Sequence, residues 1–176
     1  MEELFDELNE DGEFTGRTVG RDVAHKDGIW HRAVVLFLVN SKGQVLLQKR
    51  SRHKKKWPSC WDVSSGGHVD AGELGMMSAI RELREELGIS VDAKDVRFIS
   101  GYRSNNGGDA HHNEFYVAFK DVDPKDIKMQ ESEVEEFKWI DFVAFKKMVH
   151  KKDPSLTTKW EAYEALIRYV EKYGAN

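Results

Sequence analysis

Apolar positions come in short runs separated by polar turns, and no single long block dominates. In "LFDELNEDGEFTGRTV" two such runs flank Glu10-Asp11-Gly12, a turn composition that predicts a hairpin within about residues 1–20. "HRAVVLFLVN" (31–40) is almost continuously apolar and predicts a strand buried on both faces. "SKGQ" turns the chain into a second strand, "VLLQKR", followed by the basic loop "SRHKKKWPSCW". Residues 74–87 take a helical period. "VRFISGYR" (96–103) and "HNEFYVAFK" (112–120) predict strands separated by the loop "SNNGGDAH", and "EFKWID" predicts a short strand. "FVAFKKMVH" and "SLTTKWEAYEALIRYVEKY" (155–173) predict helices, the second capped by Ser155 and stopped by Gly174. Strands and helices mix without strict alternation, which predicts an α/β (α+β) chain with a mixed sheet between helices. No repeat or Pro/Gly/Ser-rich linker divides it, so 1–176 is expected to be one domain with its core at about 28–150.

Composition narrows the class. The chain has 176 residues, 40% hydrophobic and 33% charged, enough for a packed core and unlike a disordered chain. A net charge of -4 argues against a nucleic acid polymer and against a membrane surface as partner. Cys60 is the single cysteine, which fits a reducing compartment. The N-terminus "MEELFDELNEDGE" lacks a signal-peptide core, and no apolar run approaches the roughly 20 residues of a membrane span. The expectation is a cytoplasmic enzyme or sensor with a small-molecule ligand; monomer and homodimer are equally open.

The helix carries the first chemical signal. At about 100° per residue, Met76, Ile80, Leu83 and Leu87 share one face, while Glu82, Glu85 and Glu86 share another. Like charges at spacings of three and four repel by a few tenths of a kcal/mol. Arg81 and Arg84 flank the three acids without matching them in number. A solvated surface helix is one reading; a face that holds Mg²⁺ or Mn²⁺ through hard oxygen ligands is the other.

The longer run "GHVDAGELGMMSAIRELREELGI" (67–89) decides between them. It resembles the Nudix box at every fixed position of that loop-helix-loop motif, and the surrounding strand order is similar to the Nudix fold, an α/β/α sandwich. The resemblance implies a hydrolase that cleaves a diphosphate linkage in a nucleoside diphosphate derivative or related organic diphosphate. It implies Glu85 and Glu86 as metal ligands and Glu82 as a ligand that in some members is also the base. It further implies a metal contact from the Gly66 backbone carbonyl, Arg81 orienting the glutamates, and Glu73 and Gly67 in support.

The flanks, over roughly residues 1–140, are similar to the branch that contains isopentenyl-diphosphate isomerase. The cues are His-Arg-Ala opening a strand, a Lys-rich loop ending in Trp-Pro, and Gly-His beside the box. The isomerase's catalytic cysteine falls at Gly66, and Cys60 lies too far upstream to replace it. The box is intact, which isomerases usually lack. Hydrolase is therefore the leading expectation, with isomerase and a non-catalytic diphosphate-ligand sensor as alternatives. The branch also implies Arg50 and Lys54 as phosphate contacts, both suited to phosphate. Trp57 and Trp61 would stack on a substrate or fill the core. Glu133 and Glu135 are outside candidates for a general base from a late loop. Finally, the branch implies a second metal centre, here His25, His31 and His68 with His112 and Glu114 on one strand face. With histidine in place of an acid, it would favour Zn²⁺ or Mn²⁺.

Overall fold

The structure, a computed structural model, describes residues 3–106 and 109–174. Strands β1 (Leu4–Leu8) and β2 (Phe14–Gly20) form the expected antiparallel hairpin. The Asn9 side chain holds its turn by accepting from the amides of Asp11 (3.0 Å) and Glu13 (2.9 Å), while Gly12 takes φ 88°. A short helix, α1 (Arg21–Asp27), follows and ends on Gly28 in the left-handed region. The sequence reading missed it because seven residues are too few to display a helical period.

The main sheet contains β3 (His31–Val39), β4 (Gln44–Arg50), β5 (Trp61–Asp62), β6 (Ser65–His68), β7 (Val96–Asn106), β8 (Asp109–Phe119) and β9 (Val134–Asp141). Its order is β5-β4-β3-β8-β7, with β6 added on β3 and β9 on β4. β3 and β8 are parallel and every other pair is antiparallel, so the sheet is mixed. β3 and β4 meet only at Val39↔Val45 and then part, with β6 lining one arm of the fork and β5 the other. Buried Ser64 rivets the fork: its hydroxyl donates to the Leu46 carbonyl at 2.6 Å and accepts from the Leu38 amide at 2.7 Å. β5 starts at the end of the expected basic loop and β6 in a stretch for which the pattern predicts no element; at two and four residues they carry no alternation to read. The loop expected at 104–111 is mostly strand, since β7 runs to Asn106 and β8 starts at Asp109; residues 107–108 lie outside the described ones.

Helix α2 (Gly75–Leu87) covers one face of the sheet, burying Leu83 and Leu87 against Leu36, Leu38 and Ala118. Helices α3 (Phe142–His150) and α4 (Trp160–Tyr173) cover the other, burying Phe145, Tyr163 and Leu166 against Phe37 and Val39. The result is the mixed α/β/α sandwich. α4 starts five residues later than Ser155 because residues 155–157 pair with β5 instead: the Trp61 amide donates to the Ser155 carbonyl (2.7 Å), and the Thr157 amide donates to the Trp61 carbonyl (2.8 Å). Among the described residues, no helix is long and apolar enough to cross a membrane. Leu83 is fully buried on the inner face of α2, so Leu83→Ala should cost about 2–5 kcal/mol of stability, read as a lowered urea midpoint with an unchanged slope.

Candidate active site

Helix α2 packs beside strand β6. A Cβ built on Gly67 would lie 2.3 Å from the Glu82 carboxyl carbon, so any side chain there would displace that carboxylate from its present position. One turn on, Glu86 is 7% exposed, and its Oε2 accepts from the Gln48 side chain at 3.1 Å and from the Gly66 amide at 3.4 Å. Gly66 therefore turns its backbone polar edge toward the carboxylates. Glu85 is about half exposed, at the mouth. Burial pushes Glu82 up to about 7 and Glu86 up to about 8. Three carboxylates so placed are ready-made ligands for a hard divalent cation, which would hold them ionised.

Arg81 organises this group. Its guanidinium donates to Glu82 (2.9 Å), to Glu73 (3.2 Å), to Glu85 (3.5 Å) and to the His68 carbonyl (3.3 Å). Burial works against its charge, but Glu73, Glu82 and Asp70 outweigh that and raise its pKa further. Ser78 fixes Glu73 in turn, donating at 2.5 Å.

Opposite the carboxylates stand Arg50 and Lys54, which line the same cavity of ≈430 Å³. The Arg50 guanidinium donates to the Lys56 carbonyl (3.1 Å) and to Asp62 (3.2 Å). Lys54 is ion-paired with Glu133, which also faces this cavity, whereas Glu135 is spent on Lys49 and the Arg52 amide. Trp57 does not reach the carboxylate cleft; it lines a separate cavity of ≈180 Å³ next to Tyr102. Its φ of 47° and that of Ser59 (56°) mark a tight turn about Pro58.

The histidine centre needs a correction. The structure gathers His25, His31, His68 and His111, whose ligand atoms all lie within 4.8 Å of one another. His112 and Glu114 do share a strand face as expected, but it is the opposite one. β8 is parallel to β3 with His31↔His111 in register, so period-two alternation puts 111 beside His31 and sends 112 and 114 to the α2 side. There His112 Nε2 sits 3.1 Å from the Asn9 carbonyl, and Glu114 takes the Tyr116 hydroxyl and packs against Gly75. The His31 Nδ1–H donates to the Ile29 carbonyl (2.7 Å) and the His25 Nδ1–H to the Arg21 carbonyl (2.8 Å), so each ring keeps an Nε2 lone pair for the cluster; that of His25 accepts from His68 Nε2 at 3.3 Å. His31 Nε2 and His111 Nε2 are buried with no hydrogen-bond partner. Burial lowers the pKa of His31, takes His68 well below the ordinary value and holds His111 at about 4. The set fits a cation that prefers nitrogen.

A NUDIX domain family model matches residues 29–160. The chain belongs to the Nudix family. It is 37% identical over 163 residues to Nudix hydrolase 3 of Arabidopsis thaliana, covering 88% of this chain but 21% of that relative's length. An uncharacterized Nudix hydrolase of Listeria monocytogenes is 36% identical over 140 residues, 80% of each chain. Isopentenyl-diphosphate Delta-isomerase of Escherichia coli is 29% identical over 167 residues, covering 94% of this chain and 91% of that one. The crystal structure of DR0079 from Deinococcus radiodurans superposes with a TM-score of 0.74 at 25% identity, covering 92% and 98% of the two chains. These likenesses group the chain with the Nudix hydrolases, in a branch that also resembles the isomerases.

Around the box, sequence reasoning overlooked Arg21, Gln48, Asp62 and Lys159. Asp62 is the telling omission. It is 1% exposed and sits between Arg50 (3.2 Å) and Lys159 (3.0 Å), with Thr157 donating at 3.0 Å. Burial would raise its carboxyl, yet Lys159 and Arg50 prevail and hold it below the ordinary value. A depressed folded pKa contributes stability above the unfolded value of about 4 and loses it as pH falls through the folded one. In this Nudix chain Asp62→Asn should therefore cost about 3–5 kcal/mol at neutral pH, with a flattened acid limb in the stability–pH curve. Denaturant titrations across the acid range would measure both effects.

Proposed function

We propose that the chain hydrolyses a diphosphate linkage in an organic diphosphate, a nucleoside diphosphate derivative foremost, with Mg²⁺ or Mn²⁺ held by Glu82, Glu85 and Glu86. The observation that carries this reading is the meeting of two opposed walls in one cleft: buried carboxylates set by Arg81 on α2, and Arg50 with Lys54 on the other side. When bound, the cation would neutralise phosphate oxygens and activate water. Arg50 and Lys54 would bind the phosphates, Arg81 would keep Glu82 aimed, and Glu82 or Glu133 would take the proton from the attacking water. The isomerase alternative lacks its thiol: the position that the resemblance gives to the isomerase's cysteine is Gly66 here. Glu86→Gln should lower kcat on the best diphosphate of a Mg²⁺ and Mn²⁺ panel by about a hundredfold or more while the protein stays folded. The wild type should leave isopentenyl diphosphate unisomerised. Full turnover by Glu86→Gln would refute the catalytic assignment, tight binding without any turnover by the wild type would favour the sensor, and clear isomerisation would put the isomerase first.

The second metal centre is proposed on His25, His31, His68 and His111. Its four ligands come from α1, β3, β6 and β8, and an all-imidazole set favours Zn²⁺ over Mn²⁺ and excludes Mg²⁺ as its natural occupant. Untagged protein purified without chelator should carry Zn²⁺ or Mn²⁺ by elemental analysis and lose it in both His31→Ala and His68→Ala. His112→Ala should retain it. An apo wild type that takes up no metal on reconstitution would overturn the site.

A further inference from the structure

Strand β4 places an amide where its sequence otherwise places hydrocarbon. Val45, Leu46 and Leu47 are fully buried, and Gln48 follows them at 3% exposed. β4 is paired on both sides there, with Asp62 of β5 and Phe137 of β9 in register with Gln48. The alternation of the strand therefore fixes the face on which this side chain stands. An amide so deeply buried costs free energy unless its polar atoms are used. Only one end is used. Gln48 Nε2 donates to Glu86 Oε2 at 3.1 Å, while Gln48 Oε1 is buried with no hydrogen-bond partner. An ionised carboxylate only accepts, so the end of the amide that faces it is the NH₂. The fold leaves the other end unsatisfied in order to keep that donor on Glu86.

The two oxygens of Glu86 are thereby made unequal. Oε2 accepts from Gln48 and also from the Gly66 amide at 3.4 Å. Among the described residues no donor reaches Oε1. One oxygen belongs to the protein and one is left to offer. That division matters differently to different cations. Mg²⁺ is small and demands a nearly regular octahedron, and the two oxygens of one carboxylate stand too close together to fill neighbouring corners of it. Ca²⁺ is larger, takes more ligands in a flexible arrangement, and readily accepts both oxygens of one carboxylate.

We propose that Gln48 is a positioning residue that restrains Glu86 to a single free oxygen and thereby sets the preference of the carboxylate site for a small octahedral cation over Ca²⁺. This rests on the reading of Glu82, Glu85 and Glu86 as cation ligands and adds what selects the cation. Gln48 acts through Glu86 alone. With the donor removed, Oε2 keeps only its longer bond to the Gly66 amide, and the carboxylate is free to turn and present both oxygens. Partners of this kind, one bond removed from the metal, commonly change metal affinity by about 10–100-fold when they are replaced.

The test needs no turnover. The melting temperature of the full chain, followed as Mg²⁺ or Ca²⁺ is added to chelator-treated protein, gives a dissociation constant for each cation and a metal-free baseline. Both are hard cations that a set of imidazoles does not favour, so the histidine cluster stays out of the measurement. Gln48→Met keeps the length of the side chain and removes the donor. It should weaken Mg²⁺ binding about tenfold or more and Ca²⁺ binding far less, so that the preference for Mg²⁺ falls about tenfold. A lost packing contact would move the metal-free baseline, and a proton retained on Glu86 would weaken both cations alike; neither changes the ratio. Gln48→Leu removes the donor in a second way and should shift the ratio in the same direction. In a Glu86→Gln background the change at 48 should have no further effect on either cation. An unchanged ratio in both single variants, or an equal shift when Glu86 is already glutamine, overturns the inference and leaves the carboxylates as the cation site. A wild type whose melting temperature Mg²⁺ does not raise overturns the cation reading together with it.

Discussion

The contact between Gly67 and Glu82 is the constraint from which the rest of the site follows. With no side chain at 67, α2 lies close enough to β6 for a carboxylate to fill the space. That places Glu82 against a glycine backbone and, one turn later, Glu86 against Gln48 and the Gly66 amide. Both acids are thereby stripped of much of their water, which costs more than any local hydrogen bond returns. Arg81 offsets part of this by reaching Glu73, Glu82 and Glu85 at once. The remaining imbalance is what the proposed divalent cation would relieve.

The fork in the sheet makes that contact accessible. Had β3 and β4 paired along their length, β6 would have no place and the glycines no opening to line. Because they meet at one position only, β6 enters on β3, β5 enters on β4, and the Ser64 hydroxyl bridges the arms. On the β5 arm, Asp62 fastens Arg50 and Lys159. One buried carboxylate thus aims the Arg50 guanidinium from one wall, while the acids proposed to hold metal sit on the other.

Much of this was legible from local pattern. The helix period and the spacing of Glu82, Glu85 and Glu86 are one-dimensional facts, and the long strands carry their alternation in plain view. What was not legible depends on pairing between distant segments. The choice of His111 over His112 is fixed by which β8 residue lies beside His31, and no reading of β8 alone can select the face. Asp62 looks like any polar residue after a tryptophan until Lys159, far along the chain, is folded onto it. The late start of α4 likewise follows from residues 155–157 pairing with Trp61, a contact that local capping rules do not anticipate.

Phe5 gives the N-terminal hairpin an importance that its distance in sequence from the box conceals. Its ring stacks on His31 at 4.7 Å and on His68 at 4.8 Å, and meets His25 edge-on at 6.2 Å. Phe5 and His25 both precede the stretch that the family model recognises, and Tyr163 and Leu166 of α4 follow it. A domain trimmed to that stretch would keep the Nudix box yet surrender His25, the Phe5 roof of the histidine cluster and the α4 share of one hydrophobic core. For this molecule, the boundary of the recognisable motif and the boundary of the physical folding unit are different lines.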